Sequence, residues 1–130
     1  MNILAVDDEQ DTRAFLSDFL TEEGHCVVTA ASAREAVALL EKIPVDVVLL
    51  DLMMPGTDGF ALARNVSQNW TTSEIPLIAI SCLRDEGSKA SAKALGCLRY
   101  FEKPFSQSEL LEALRDIDLG GRERVPLGRP

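Results

Sequence analysis

Apolar residues occur along this chain in short consecutive blocks, separated by longer stretches in which they recur every three or four positions. The blocks are Ile3-Leu4-Ala5-Val6, Cys26-Val27-Val28-Thr29-Ala30, Val45-Asp46-Val47-Val48-Leu49-Leu50, Ile75 to Ser81, and Leu98-Arg99-Tyr100-Phe101. Runs of this length bounded by turn residues predict strands. The Val45–Leu50 block is nearly continuous in Val and Leu, as expected of a strand covered on both faces of a parallel sheet. The stretches between them predict helices. Ala14, Phe15, Leu16, Phe19 and Leu20 share one face, and Gly24 follows as a stop. Ser32 with Glu35 forms a capping box ahead of Ala33 to Lys42, which Pro44 ends. Asp58-Gly59 opens a third helix carrying Phe60, Leu62, Ala63 and Val66. A fourth, weakly amphipathic, runs from Asp85 to Leu95 with Gly96 behind it. Ser106 with Glu109 caps a fifth that carries Leu110, Leu111 and Leu114.

Strand and helix therefore alternate five times. That alternation implies a three-layer α/β sandwich: a parallel five-stranded sheet with right-handed crossovers and helices on both faces. Five strands fit the flavodoxin-like (βα)5 order 2-1-3-4-5, whose switch point lies between strands one and three. Those two strands end in acids. The first runs into Asp7-Asp8-Glu9, and the third into Asp51, before Leu52-Met53-Met54 and the turn pair Pro55-Gly56. Ligands of open α/β sheets bind at the carboxyl ends of strands beside the switch point. One acidic pocket is thus expected, and such a pocket calls for a cation.

Composition narrows the class. A chain of 130 residues, 46% hydrophobic, is one domain with a real core. A net charge of −8 argues against nucleic-acid binding by the bulk surface. No apolar run approaches the roughly 20 residues of a membrane span, and no basic n-region precedes Ile3. A cytoplasmic protein with no membrane partner is expected. Cys26, Cys82 and Cys97 form no CxxC pair, and His25 is the sole histidine, which argues against structural zinc. Cys26 and Cys97 are expected to be small core or half-buried residues. From Gly120 to Pro130 the chain holds three Arg, three Gly and two Pro against one acid, a tail or linker composition. The domain is expected over residues 1–119 and the tail over 120–130.

Several separated motifs carry a family resemblance: Val6-Asp7-Asp8, Leu50-Asp51-Leu52-Met53-Met54-Pro55-Gly56, Ser81, Tyr100 and Lys103-Pro104. In this order on a (βα)5 pattern, the chain resembles a bacterial two-component response-regulator receiver domain over about residues 1 to 117. The resemblance implies that Asp51 accepts a phosphoryl group from a sensor histidine kinase or a histidine phosphotransfer protein. It implies Mg²⁺, or Mn²⁺, held by Asp8, Asp51 and the backbone carbonyl of Met53, with Asp7 acting largely through water. Lys103 would meet the phosphoryl oxygens, and a cis peptide would precede Pro104. Ser81 would move toward the phosphoryl group and Tyr100 into the space it leaves. That shift would alter the face of helix four, strand five and helix five, which would then bind a second copy or an output partner. Such a domain is not an enzyme; it catalyses only its own phosphorylation and dephosphorylation. Physical chemistry is consistent with these roles. Clustered carboxylates repel one another, and Mg²⁺ takes oxygen ligands from one or two carboxylates plus water and phosphate.

Alternatives stay open on the residues. One is a receiver that only carries phosphate, without switching its surface. Another is a small Mg²⁺-dependent phosphatase with an Asp nucleophile, although Met53 stands where the haloacid dehalogenase type has a second acid. A third is an interaction module that has kept the fold without the chemistry. Cys82 stands beside Ser81 where the family has a small residue, and Leu83 and Met53 offer no hydrogen bond to an attacking water. The chain reads either as a stand-alone receiver or as part of a longer protein joined at its linker. Asp58 is expected to serve the helix start rather than the metal site.

Overall fold

The computed structural model of the chain describes residues 1–54 and 57–123, with side chains described at all of these except 57, 58 and 121–123. The Pro55-Gly56 turn and the end of the expected tail lie outside the described residues.

Five strands form the main sheet: β1 (Asn2–Val6), β2 (Cys26–Ala30), β3 (Val47–Leu50), β4 (Leu77–Ser81) and β5 (Cys97–Glu102). All pairings are parallel and the spatial order is 2-1-3-4-5, as the alternation of elements predicts. The helices are α1 (Gln10–Glu22), α2 (Ala33–Lys42), α3 (Gly59–Gln68), α4 (Glu86–Ala94) and α5 (Gln107–Glu123). Successive strand side chains point to opposite faces, so each strand feeds two cores. Ile3, Ala5, Val47, Leu49, Ile78 and Ile80 pack under α1 and α5, with Leu16, Leu20, Leu110 and Leu114. Leu4, Val6, Val48, Leu50, Leu77 and Ala79 pack under the other three helices, with Ala36, Leu62, Val66 and Ala92.

The capping residues act as their types dictate. Ser32 Oγ accepts from Glu35 N–H at 3.2 Å, while Glu35 Oε2 accepts from Ala31 N–H at 2.7 Å. Asp85 caps α4 by accepting from Ser88 N–H at 2.9 Å, and Ser106 caps α5 by accepting from Glu109 N–H at 3.2 Å. Glu9 holds the N-cap position of α1 but makes no side-chain cap bond there.

Three expectations change. Helix α5 runs to Glu123, past the boundary expected at residue 119. Glycine in a helix costs only about 1 kcal/mol relative to Ala, so Gly120 and Gly121 weaken the helix without ending it. Cys26 is exposed because it opens the edge strand β2, whereas Cys97 is buried and burial pushes its thiol up to about 11. Finally, Met53–Met54 and Thr57–Asp58 pair antiparallel just past β3. Two-residue strands are too short to show a period, so the hydrophobic pattern shows only a turn there.

Candidate functional site

Val6 and Leu50 are register partners at the ends of β1 and β3. The residues that follow them, Asp7 and Asp51, therefore emerge side by side at the carboxyl edge of the sheet. Backbone bonds hold them there: Asp51 N–H donates to Val6 O at 2.9 Å, and Asp7 N–H to Ala30 O at 3.1 Å. Asp7 is 2% and Asp51 5% exposed, while Asp8 is open to solvent. Carboxylate oxygens of Asp7, Asp8 and Asp51 come within 4.8 Å of one another.

Lys103 arrives from the end of β5, where its N–H donates to Ser81 O at 2.9 Å. The bond to Pro104 is cis. Lys103 Nζ lies 2.8 Å from Asp7 Oδ2, 3.2 Å from Asp51 Oδ2 and 3.2 Å from Glu9 Oε1. Burial pushes the Asp51 carboxyl up from its ordinary range, the Met53 N–H bond at 3.0 Å and Lys103 pull it down, and Asp7 adds to the rise. Desolvation pulls Lys103 down, but the bond to Asp7 and the charge of Asp51 outweigh it and hold the ammonium well above its usual value. One ammonium thus faces four acids, Asp7, Asp8, Glu9 and Asp51. Of these, Asp7, Asp8 and Asp51 have carboxylate oxygens close enough to share an ion, and that all-oxygen set fits a hard divalent cation.

Gly59 makes the Asp51 loop possible in a way that sequence reading missed. A Cβ there would lie 2.5 Å from Asp51 O and 2.5 Å from Leu52 Cα. The start of α3 consequently rests on the Asp51–Leu52 backbone. Met53 is 58% exposed at the mouth of the pocket, its N–H bound to Asp51 Oδ1. Arg13, also unanticipated, donates from Nη1 to Asp7 O at 2.6 Å and ties α1 to the acidic loop.

Ser81 is fully buried at the end of β4. Its Oγ accepts from Leu83 N–H at 3.2 Å, so the hydroxyl is engaged by its own loop. Tyr100 donates its hydroxyl to Leu83 O at 2.7 Å, and its ring packs half-buried against the core shared with Leu83. Burial raises the Tyr100 hydroxyl, and the Ser81 hydroxyl holds part of that rise back. Tyr100 therefore already lies inward. Arg84 Nη2 donates to Lys103 O at 2.9 Å, and Lys89 Nζ lies 2.7 Å from Glu102 Oε1, so the loop after β4 and helix α4 are both tied to the end of β5. Cys82 is exposed in that loop.

Of the residues expected at the site, Asp7, Asp8, Asp51 and Lys103 come together, with Met53 on Asp51. Ser81 and Tyr100 join one another through Leu83, one step away. Glu9 is the partner of Lys103 that sequence reading overlooked. It was legible as an acid beside Asp7-Asp8, but the direction of its side chain depends on where β5 delivers Lys103.

The sequence model of the response regulator receiver domain matches residues 3–115. The chain is 35% identical over 117 residues to response regulator RR06 of Streptococcus pneumoniae, covering 90% of this chain and 52% of that protein. It is 34% identical over 118 residues to protein PilH of Pseudomonas aeruginosa, covering 91% of this chain and 98% of PilH. Among solved structures, chemotaxis protein CheY4 of Vibrio cholerae superposes with a TM-score of 0.83 at 32% identity, covering 89% of this chain and 97% of that one. The chain spans about half the length of several curated relatives it matches. Among the described residues no helix is long and apolar enough to cross a membrane. A doubly wound sheet whose first and third strands end in facing acids, matched over most of its length by these relatives, places this chain in the response regulator receiver domain family.

Proposed function

We propose that the chain is a phosphorylatable switch of a two-component relay, accepting a phosphoryl group on Asp51 from the phosphohistidine of a sensor kinase or phosphotransfer protein. The observation that carries this is Asp51 itself: a buried carboxylate among acids, with Lys103 Nζ at 3.2 Å. An Asp51 carboxylate oxygen attacks phosphorus and forms the acyl phosphate. The N–P bond of the donor breaks, and the released imidazole nitrogen takes a proton from water. Lys103 offers a fixed positive charge to the transferring oxygens. Asp8, Asp51 and the Met53 carbonyl would hold Mg²⁺, with Asp7 through water. When bound, that ion offsets negative charge on the phosphoryl group. The domain turns over no other substrate in this reading, which keeps it outside the enzymes.

The output face would be α4, β5 and α5, where Lys89 and Glu102 pair beside Tyr100. A second reading, a phosphate carrier that does not switch, is favoured by one observation: Tyr100 is already turned in, bonded to Leu83 O at 2.7 Å. Amide shifts of residues 84–117, compared with and without fluoroberyllate, separate the two. Movement there supports the switch; shifts confined to the Asp51 loop support the carrier.

The central assignment is tested with acetyl phosphate and Mg²⁺, read by intact mass. Labelling is expected in the wild type only with the metal present and is expected to vanish in Asp51→Asn. Equal labelling of Asp51→Asn would overturn it.

A further inference from the structure

An ammonium has three N–H donors. On Lys103 all three have partners: Asp7 at 2.8 Å, Asp51 at 3.2 Å and Glu9 at 3.2 Å. No donor is left for an incoming oxygen, so a phosphoryl group that bonds Lys103 must displace one carboxylate. The side chains of Asp7 and Asp51 are 3% and 5% exposed, whereas that of Glu9 is 61% exposed. Stripping Lys103 from Asp7, or from Asp51 before that carboxylate is phosphorylated, removes the partner of a buried charge, which is strongly unfavourable. Returning an exposed glutamate to water costs little. Glu9 is the partner that yields as the phosphoryl group arrives, before the bond to Asp51 forms. Its backbone is anchored in the pocket, since its N–H donates to Asp7 Oδ1 at 2.9 Å. Its carboxylate is also unused at the helix start, where it makes no cap bond.

We infer that Glu9 is a positioning residue that holds the Lys103 ammonium in the pocket and competes with the phosphoryl group for it. The inference rests on Asp51 as the phosphoryl acceptor. It makes Glu9 a determinant of how readily the domain takes a phosphoryl group, acting through contact rather than through bulk charge. Glu9→Asp separates these, because it keeps the charge but is one methylene too short to hold Lys103.

The test titrates fluoroberyllate with Mg²⁺ into wild type, Glu9→Ala and Glu9→Asp, following amide shifts. Both variants are expected to bind about threefold more tightly, the scale of one exposed ion pair. With acetyl phosphate, the half-saturating concentration is expected to fall by about the same factor, with the maximal rate unchanged. A metal-free readout accompanies these: urea unfolding in EDTA of Glu9→Ala, Lys103→Met and the double variant, where an interaction of about threefold in the unfolding constant is expected. Glu9→Asp behaving as wild type while Glu9→Ala binds more tightly would reduce the effect to a through-space field and overturn the contact. Strictly additive unfolding would overturn it as well. Wild type that binds no fluoroberyllate would overturn the Asp51 assignment; wild type that binds, with both variants unchanged, would overturn the role of Glu9 alone.

Discussion

The two ends of the sheet are made from the same five strands and do opposite things. At the carboxyl end lie the buried polar side chains of Asp7, Asp51 and Ser81, with Lys103 bridging the two acids. At the amino end the loops are closed by glycine turns and by hydrogen bonds between polar side chains and the backbone. Gly24 and Gly96 turn the chain at φ +93 and +96 into β2 and β5, and Thr72 Oγ1 donates to Val66 O at 2.7 Å. An apolar groove of about 460 Å³ lies there between α2 and α3, floored by Leu40, Ile43 and Ile75. Trp70, nearby, is 87% exposed. The difference follows from chain direction. Parallel strands joined by helices place every helix start at the carboxyl end, where free N–H groups and the positive end of the helix dipole favour anions. Helix ends gather at the other edge, where the chain must reverse, and glycine supplies the conformations that reversal needs.

The largest effect expected from this contrast compares two glycines. Gly59→Ala at the functional end would force a Cβ to 2.5 Å from Asp51 O, and about 3 kcal/mol of stability is expected to be lost in urea unfolding. Gly24→Ala at the other end meets nothing within 4 Å, so only its positive φ is penalised, by about 1 kcal/mol. Equal losses would mean that the Asp51 loop is not packed on α3 as described.

Cation binding ranks next. Mg²⁺ at a hundred times its dissociation constant is expected to stabilise the fold by ~2.7 kcal/mol. Asp8→Asn is expected to raise metal-free stability and remove the Mg²⁺ response, read by calorimetry. A full response in Asp8→Asn would mean that the ion binds elsewhere.

Lys103→Met in EDTA leaves Asp7 and Asp51 unpaired. Because the pocket opens to water at Asp8, the expected loss is about 2 kcal/mol, below that of a fully buried pair. The pH dependence has a definite sign. The folded pKa of Lys103 is raised, so the wild-type advantage is complete below 10.5 and fades as pH rises through the raised value. Asp51 is raised as well, so its contribution is present below 3.8 and lost as pH rises through its folded value. In EDTA, wild type is therefore expected to lose stability relative to Asp51→Asn across that lower window. The opposite slope would contradict a desolvated Asp51.

The smallest effect is expected at Trp70. Trp70→Ala is expected to change stability by less than about 0.5 kcal/mol and to leave labelling of Asp51 intact. As the sole tryptophan, Trp70 also reports on the amino end alone. Its emission is expected to stay constant while fluoroberyllate fills the pocket. A shift would show that the two ends are coupled and that the division drawn between them is too sharp.

Much of this was legible in the chain because it is local. The Val47–Leu50 block, the capping pair Ser32 and Glu35, and Gly96 at the end of α4 act over a few residues, so their patterns survive in one dimension. The site was legible where a topological rule carries residues to one place: Asp7-Asp8 and Asp51 follow adjacent strands, and Lys103 follows β5. What stayed hidden depends on distances between remote segments. Gly59 reads as helix-start chemistry until Asp51 O is found 2.5 Å from where its Cβ would sit. Cys26 reads as core or half-buried, although the predicted strand order already puts β2 at the sheet edge, where Cys26 is exposed. Ser81 and Tyr100 are recognisable by position, but only packing decides that both bond to Leu83.

The sequence by itself thus determined the fold class, the strand order and the identity of the acids and lysine at the carboxyl edge, because hydrophobic period and chain direction leave few other arrangements. Tertiary structure alone decided which three carboxylates share the Lys103 ammonium, that Glu9 is the exposed one, and that Tyr100 lies inward. Those outcomes depend on side-chain directions across segments as many as 96 residues apart, and no local pattern encodes them.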